Sequence, residues 1–171
     1  MKKYILILVS IIFYSTSSIG QKVEQIIINW PPEYKWKIVN KESDSTHQLV
    51  TIIPGKQIVK NAQILGTLAA YSGVKYDSVN QIIDYYKAAL DDGSILTVIE
   101  KQDTVKYHWV IFKIETPKTP KYPEPESDLY FIIQGDYALY ANWVAIKKEV
   151  LDPDFIIKWT QVFKTFRIVI E

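Results

Sequence analysis

Alternation of apolar and polar side chains is the clearest feature of the first half of the chain. In residues 34–40, three apolar side chains alternate with two lysines, which is the period of two expected of a half-buried strand. The polar residues 41–46 predict a turn, and residues 47–54 predict a second strand, so together these segments predict a hairpin. Residues 62–71 predict a third strand rather than a helix, because a glycine and a threonine lie in the middle.

The spacing of apolar residues changes to three and four in residues 77–93, and this spacing predicts a helix. Asp77 or Ser78 is placed to cap its first turn, and Gly93 is placed to end it. The predicted apolar face consists of Val79, Ile82, Ile83, Tyr86, Ala89 and Leu90.

Four further strands are predicted in the second half of the chain. Residues 94–102 and 106–115 predict one hairpin, and residues 128–134 and 137–147 predict another. Gly135 is the first residue of the second link, the position at which a type II′ turn requires glycine.

The last segment, residues 152–171, predicts a second helix. Asp152 is placed to cap this helix and Pro153 takes its first position. Arg167, the only arginine, would lie in the last turn, where a cation suits the helix dipole. The following side chains keep helical spacing and predict one buried stripe: Phe155, Ile156, Trp159, Val162, Phe163, Phe166 and Ile170.

Hairpins joined in this order predict an α+β fold rather than a parallel α/β fold. We expect a mostly antiparallel sheet of about six to seven strands, with two helices that each cover one of its faces as a layered sandwich. Residues 21–171 have the length of a single domain.

The first twenty residues have the layout of a cleavable signal peptide. Lys2 and Lys3 precede an apolar run that is short for a bilayer crossing, and small residues follow up to a cleavage position before Gln21. The alternative is an uncleaved membrane anchor. The chain has no cysteine for lipid attachment. We therefore expect a periplasmic or secreted protein without stable membrane insertion after cleavage.

Composition narrows the classes of partner. Lys and Arg together number 20 and Asp and Glu 19, so a net charge of +1 predicts no nucleic-acid binding. With no cysteine, an exported chain cannot use disulfides, and its 48% hydrophobic residues must supply stability by packing.

No motif predicts catalysis. His47 and His108, the only histidines, lie on different predicted strands without a metal-binding spacing. The chain has no phosphate-binding glycine loop and no nucleophile elbow. We therefore predict no catalytic, metal-binding or cofactor-binding residue. Among the possible functions, we favour an enzyme less than an interaction module or a small-ligand-binding protein.

Three residues are candidates for an interaction surface. Tyr122 lies in a proline-rich crossover in which every third residue is proline, the repeat of a polyproline II helix. Trp30 precedes two prolines, and Arg167 is an isolated guanidinium. Each candidate has a structural alternative. The crossover that contains Tyr122 could be a stiff connection that protects sheet edges, Trp30 could be packed within the fold, and Arg167 could stabilise a helix end.

The succession of elements resembles the PsbP-like fold over most of residues 33–168. The resemblance includes "IIPG" at the end of the early hairpin and "FIIKWTQVFKTFRIV" after the late one. The segments "NWPPEYKW", "ESDLYFIIQG" and "KWTQVFKTF" are also similar to those of small uncharacterised exported proteins of Bacteroidota. Proteins with the PsbP-like fold act mainly as binding and assembly modules, so the resemblance implies a binding role.

We therefore expect an exported, non-catalytic interaction or accessory module, whose partner is another exported or envelope protein. The alternative is a small-ligand-binding protein with a pocket between the closing helix and the sheet, where Arg167 could contact an anion. An enzyme is the third possibility.

Overall fold

The structure is a computed structural model, and it describes residues 24–104, 108–120 and 123–170. The strands and helices are β1 (Glu24–Ile27), β2 (Trp36–Ser43), β3 (His47–Pro54), β4 (Ile64–Ser72), α1 (Val79–Ala88), β5 (Ile95–Asp103), β6 (His108–Thr116), β7 (Glu126–Gln134), β8 (Ala138–Ile146), α2 (Pro153–Phe163) and β9 (Arg167–Ile170). Two short 3-10 turns, Pro32–Tyr34 and Val59–Asn61, precede β2 and β4.

Seven of the strands form one sheet in the order β2-β3-β4-β8-β7-β6-β5, and every neighbouring pair in it is antiparallel. The predicted α+β class with a mostly antiparallel sheet and two helices is confirmed. Strands β1 and β9 form a separate antiparallel pair. Both outer strands of the large sheet contain a β-bulge, between Ile38 and Asn40 in β2 and between Val98 and Glu100 in β5.

The two helices lie on opposite faces of the sheet. Along β7 the side chains alternate, so that Ile132 packs with α1 and Phe131 and Ile133 pack with α2. The α1 side buries Val79 and Ile82 of the helix, and the α2 side buries Trp159 and Phe163. This is the layered packing that two amphipathic helices and a two-faced sheet require.

Helix α1 begins as the sequence predicts but ends earlier. The hydroxyl of Ser78 accepts a hydrogen bond from the N–H of Gln81 at 3.3 Å, so Ser78 and not Asp77 is the cap. The helix ends at Ala88, and the predicted end at Gly93 is wrong. Gly93, with φ of 86°, belongs to the turn before β5.

The predicted type II′ turn between β7 and β8 is also wrong. Gly135 does not have the positive φ that this turn requires, and the link has three residues, Gly135–Tyr137. The glycine is needed for another reason. A Cβ atom on Gly135 would collide with the carboxylate of Glu24, which lies against this link.

The C-terminal segment is not one helix. Helix α2 starts at Pro153 as predicted, but the carboxylate of Asp152 contacts the Nζ of Lys148 at 2.5 Å instead of capping the helix. The helix ends at Phe163, and Arg167–Ile170 continue as β9, paired with β1. The predicted burial of Ile170 is therefore wrong, because 47% of this residue is exposed.

The side chain of Glu24 connects β1 to the hairpin formed by β7 and β8. Its carboxylate accepts hydrogen bonds from the N–H of Asp136 at 2.7 Å and of Tyr137 at 3.4 Å, and from the hydroxyl of Tyr140 at 3.1 Å. Only 2% of Glu24 is exposed. Burial and the nearby Glu24 carboxylate raise the pKa of Tyr140, which therefore stays protonated and keeps donating.

We expect Glu24→Ala to lower the free energy of unfolding by about 2–3 kcal/mol, because one buried donor, the Tyr140 hydroxyl, and two part-buried backbone donors lose their acceptor. Urea denaturation at neutral pH measures this change. Glu24→Gln, which keeps one acceptor oxygen, should cost less. Equal stability of Glu24→Ala and the wild type would show that the contact contributes nothing.

Candidate binding groove

A groove of about 830 Å³ lies beside the N-terminal end of α2. It is bounded by the first 3-10 turn, the connection from β3 to β4, the end of β8 and the start of α2. Its apolar floor consists of Tyr34, Pro54, Ala62, Ile64, Ile146 and Phe155. Its charged rim consists of Lys35, Lys56, Lys147, Lys148, Glu33 and Asp152. We refer to this site as the lysine-rimmed groove.

The backbone brings Lys35 and Lys56 to the same end of the groove. Lys35 has a φ of 49°, and among the described residues it is the only non-glycine residue with a positive φ. The N–H of Gly55 donates to the carbonyl of Tyr34 at 3.1 Å, and a Cβ atom on Gly55 would collide with the carbonyl oxygen of Lys35. Gly55 thus permits the close approach of the two segments that carry these lysines.

Other lysines around the groove are paired with carboxylates. Lys147 contacts Glu124 at 2.5 Å, and Lys148 contacts Asp152 at 2.5 Å. By contrast, Lys35 and Lys56 have no ion pair within the described part of the chain. Among the described residues, two lysines without an ion pair therefore line the groove, on two segments whose backbones meet at Gly55.

Lys158 of α2 organises the wall formed by the first 3-10 turn. Its ammonium group donates to Glu33 and to the hydroxyl of Tyr34, both at 3.0 Å, and lies 4.6 Å from the centre of the Tyr34 ring. The Tyr34 hydroxyl and Glu33 raise the pKa of Lys158. A backbone hydrogen bond and Lys158 lower the pKa of Glu33. These contacts hold Tyr34 against the floor in a fixed position.

The amide side chains in the groove present donors. The side-chain oxygen of Gln57 accepts from the N–H of Gln63 at 2.9 Å, and that of Asn61 accepts from the N–H of Ile58 at 3.3 Å. These contacts orient the amides, and within the described residues neither NH₂ group has an acceptor. The groove therefore has an excess of hydrogen-bond donors.

Two of the three predicted interaction residues, Trp30 and Arg167, lie in the described part of the chain. Tyr122 lies outside the described residues. Arg167 is exposed on β9 and does not line the groove. Trp30 is a core residue, 8% exposed, with its ring centre 5.3 Å from that of Trp36 and 5.5 Å from that of Trp159. Its burial removes Trp30 from any exposed contact surface.

Large aromatic side chains occupy the space between α2 and the sheet. Trp159 and Phe163 are fully buried there, and Phe163 stacks on Phe131 of β7 with a centre distance of 5.8 Å. The lysine-rimmed groove borders the start of α2 rather than lying beneath the helix. The alternative of a small-ligand-binding protein places a pocket between α2 and the sheet. A second groove, of about 530 Å³, lies where α2 faces the edge strand β5, and it is lined by Ile99, Ile156, Ile157, Thr160, Gln161, Lys164 and Thr165.

The two histidines lie far from one another. His47 pairs with Asp44 at 2.7 Å at the first hairpin, and His108 pairs with Asp103 at the second. Strands β4, β8 and β7 separate them. The described residues contain no group of three His, Cys, Asp or Glu side chains placed to hold a metal ion.

Sequence reasoning missed the groove because its residues come from four separate segments. The only local signal is the Pro54-Gly55 break after β3. No model of a known protein family matches this chain, and no curated protein matches its sequence. The resemblance to the PsbP-like fold stays a prediction. Neither helix among the described residues has the length and apolar character that a bilayer crossing requires.

Proposed function

We propose that this protein is an exported, non-catalytic interaction or accessory module that binds a partner through the lysine-rimmed groove. The supporting observation is the groove itself, in which an apolar floor lies beside two amide donors and two lysines that have no ion pair among the described residues. The signal-like residues 1–20 support export, and a mature chain that does not begin near Gln21 would count against cleavage.

A binding role suits the chemistry of the groove better than catalysis. Its titratable side chains are lysines, carboxylates and the phenol of Tyr34, and neither histidine lines it. Lys148 and Asp152 are paired with each other, and Glu33 is paired with Lys158. The groove thus offers charge and apolar surface to an occupant, and it lacks the nucleophile–base pair on which covalent catalysis depends.

A peptide-display selection tests the proposal without assuming the partner. Gln63 is exposed beside the floor, so Gln63→Trp should block the groove while leaving the core intact. We expect peptides that are enriched on the wild type and lost on this variant. Asn80→Trp, at an exposed position on α1, is the matched control and should retain them. If the enriched peptides bind Gln63→Trp as well as the wild type, the groove is not the binding site.

A small-ligand-binding protein is the second candidate. The volume of about 830 Å³ is within the range of about 300–1,000 Å³ typical of small-molecule sites. A compound library that raises the melting temperature of the wild type, but not of Gln63→Trp, would favour this candidate when the display selection enriches nothing.

A further inference from the structure

We infer that the occupant of the lysine-rimmed groove is an acidic peptide segment of a partner protein, bound in an extended conformation with alternating acidic and apolar residues. This inference rests on the proposed function and specifies the chemistry of the partner. Three features of the groove support it: unpaired positive charge, leftover hydrogen-bond donors and an apolar floor.

The charge of the groove calls for an anionic occupant. Lys35 and Lys56 come together without a carboxylate partner among the described residues, whereas Lys147, Lys148 and Lys158 each have one. Both lysines line the same groove, so an anion bound there is attracted by two positive charges. Charge complementarity of this kind mainly sets specificity and the rate of association.

The hydrogen-bonding groups also favour an occupant rich in acceptors. The amide oxygens of Gln57 and Asn61 are used by backbone N–H groups, which leaves their NH₂ groups as donors. Within residues 24–104, 108–120 and 123–170, the ammonium groups of Lys35 and Lys56 have no ion-pair acceptor. Carboxylate oxygens and peptide carbonyls are both acceptors, so an acidic peptide matches this set throughout its length.

The floor distinguishes a peptide from a free anion. Of the floor residues, Ala62, Ile64 and Ile146 are largely buried, whereas Tyr34 and Phe155 are partly exposed to the groove. A small inorganic anion would leave this apolar surface in contact with water. In an extended peptide, successive side chains point in opposite directions, so apolar residues can cover the floor while acidic residues reach the rim.

Titration with a defined peptide tests the inference. The probe is a short labelled peptide in which glutamate alternates with leucine and phenylalanine, and binding is followed by fluorescence anisotropy. We expect saturable binding that weakens about tenfold in the double variant Lys35→Gln/Lys56→Gln, because two charged contacts are lost. The affinity should also fall as salt is added.

The matched control is the double variant Lys41→Gln/Lys101→Gln. It removes the same charge from exposed positions on β2 and β5 that do not line the groove, so binding should be unchanged. Equal losses in both double variants would show non-specific attraction and overturn the inference. Equal binding of a peptide with glutamine in place of glutamate would also overturn it, as would binding of inorganic phosphate at the groove without binding of the peptide.

The two proposals fail in different ways. The display selection could enrich neutral or basic peptides that do not bind Gln63→Trp. This result would support the groove as the binding site and would contradict an acidic occupant. Acidic peptides that bind equally to the wild type and to Gln63→Trp would overturn both the groove and its occupant.

Discussion

Replacing Trp159 with alanine is expected to lower the free energy of unfolding by about 3–5 kcal/mol. Trp159 is fully buried on the α2 side of the sheet, and its ring centre lies 5.5 Å from that of Trp30 and 6.0 Å from those of Phe155 and Phe163. Alanine would remove these contacts and leave a cavity that rigid ring neighbours cannot fill. Equilibrium denaturation in urea with linear extrapolation measures the change.

Two variants of the same helix control this experiment. Ile157→Ala removes an apolar side chain from the outer surface of α2, where 57% of the residue is exposed, and should change stability by less than about 0.5 kcal/mol. Trp159→Phe keeps an aromatic ring and removes an indole N–H that has no partner among the described residues, so it should cost less than alanine. A loss below about 1 kcal/mol for Trp159→Ala would contradict the proposed core.

Asp128 should make the protein less stable as the pH rises from about 5 to about 8. Its carboxyl group is 9% exposed on the α1 side of β7, between Ile114 of β6 and Ala145 of β8. Burial, and to a lesser extent the charge of Glu126, raise the pKa of Asp128 from 3.8 to about 8. Between these two values the folded chain holds a proton that the unfolded chain has released.

The sign and the size of the effect follow from this difference in bound protons. Raising the pH favours the state with fewer protons, which is the unfolded state, at about 1.4 kcal/mol per pH unit for a single group. Asparagine at position 128 does not titrate. The free energy of unfolding of Asp128→Asn, relative to that of the wild type, should therefore increase by this slope as the pH rises through neutrality. Urea denaturation of both proteins across this pH range measures the difference.

Comparing the wild type with Asp128→Asn isolates the contribution of Asp128 to the pH dependence of stability. His47 and His108 are common to both proteins, so their titration largely cancels in the difference. Glu126→Gln removes the nearby charge and should lower the upper pH limit of the effect only slightly, because burial is the larger cause of the shift. Parallel stability profiles for Asp128→Asn and the wild type would contradict a raised pKa of Asp128.

Local patterns predicted the hairpins and α1 well because their partners are close in sequence. The predicted strand in residues 47–54 corresponds to β3 itself, and Ser78 starts α1 as its position indicated. The spacing of Phe163, Phe166 and Ile170 also suited a helix, yet the chain turns after Phe163 and pairs with β1. That pairing involves residues at opposite ends of the chain, which no local period can reveal.

The groove and the Glu24 contact were beyond local reasoning for a related reason. Exposed lysines are ordinary on any surface, and only the fold shows that Lys35 and Lys56 have no ion pair with any residue that the structure describes, whereas Lys147, Lys148 and Lys158 have one. Gly135 was interpreted from turn chemistry, but its role is the close approach of Glu24, which is more than a hundred residues away in sequence.

The pairing of β1 with β9 has a consequence for the topology of the whole chain. Glu24 lies directly opposite Ile170, so a short peptide linker could join these positions without displacing any strand of the large sheet. Closing the backbone into a ring would restrict the unfolded ensemble, and the folded protein would gain stability through chain entropy alone. The same adjacency makes the chain suited to circular permutation, with new ends opened in the exposed turn between β2 and β3.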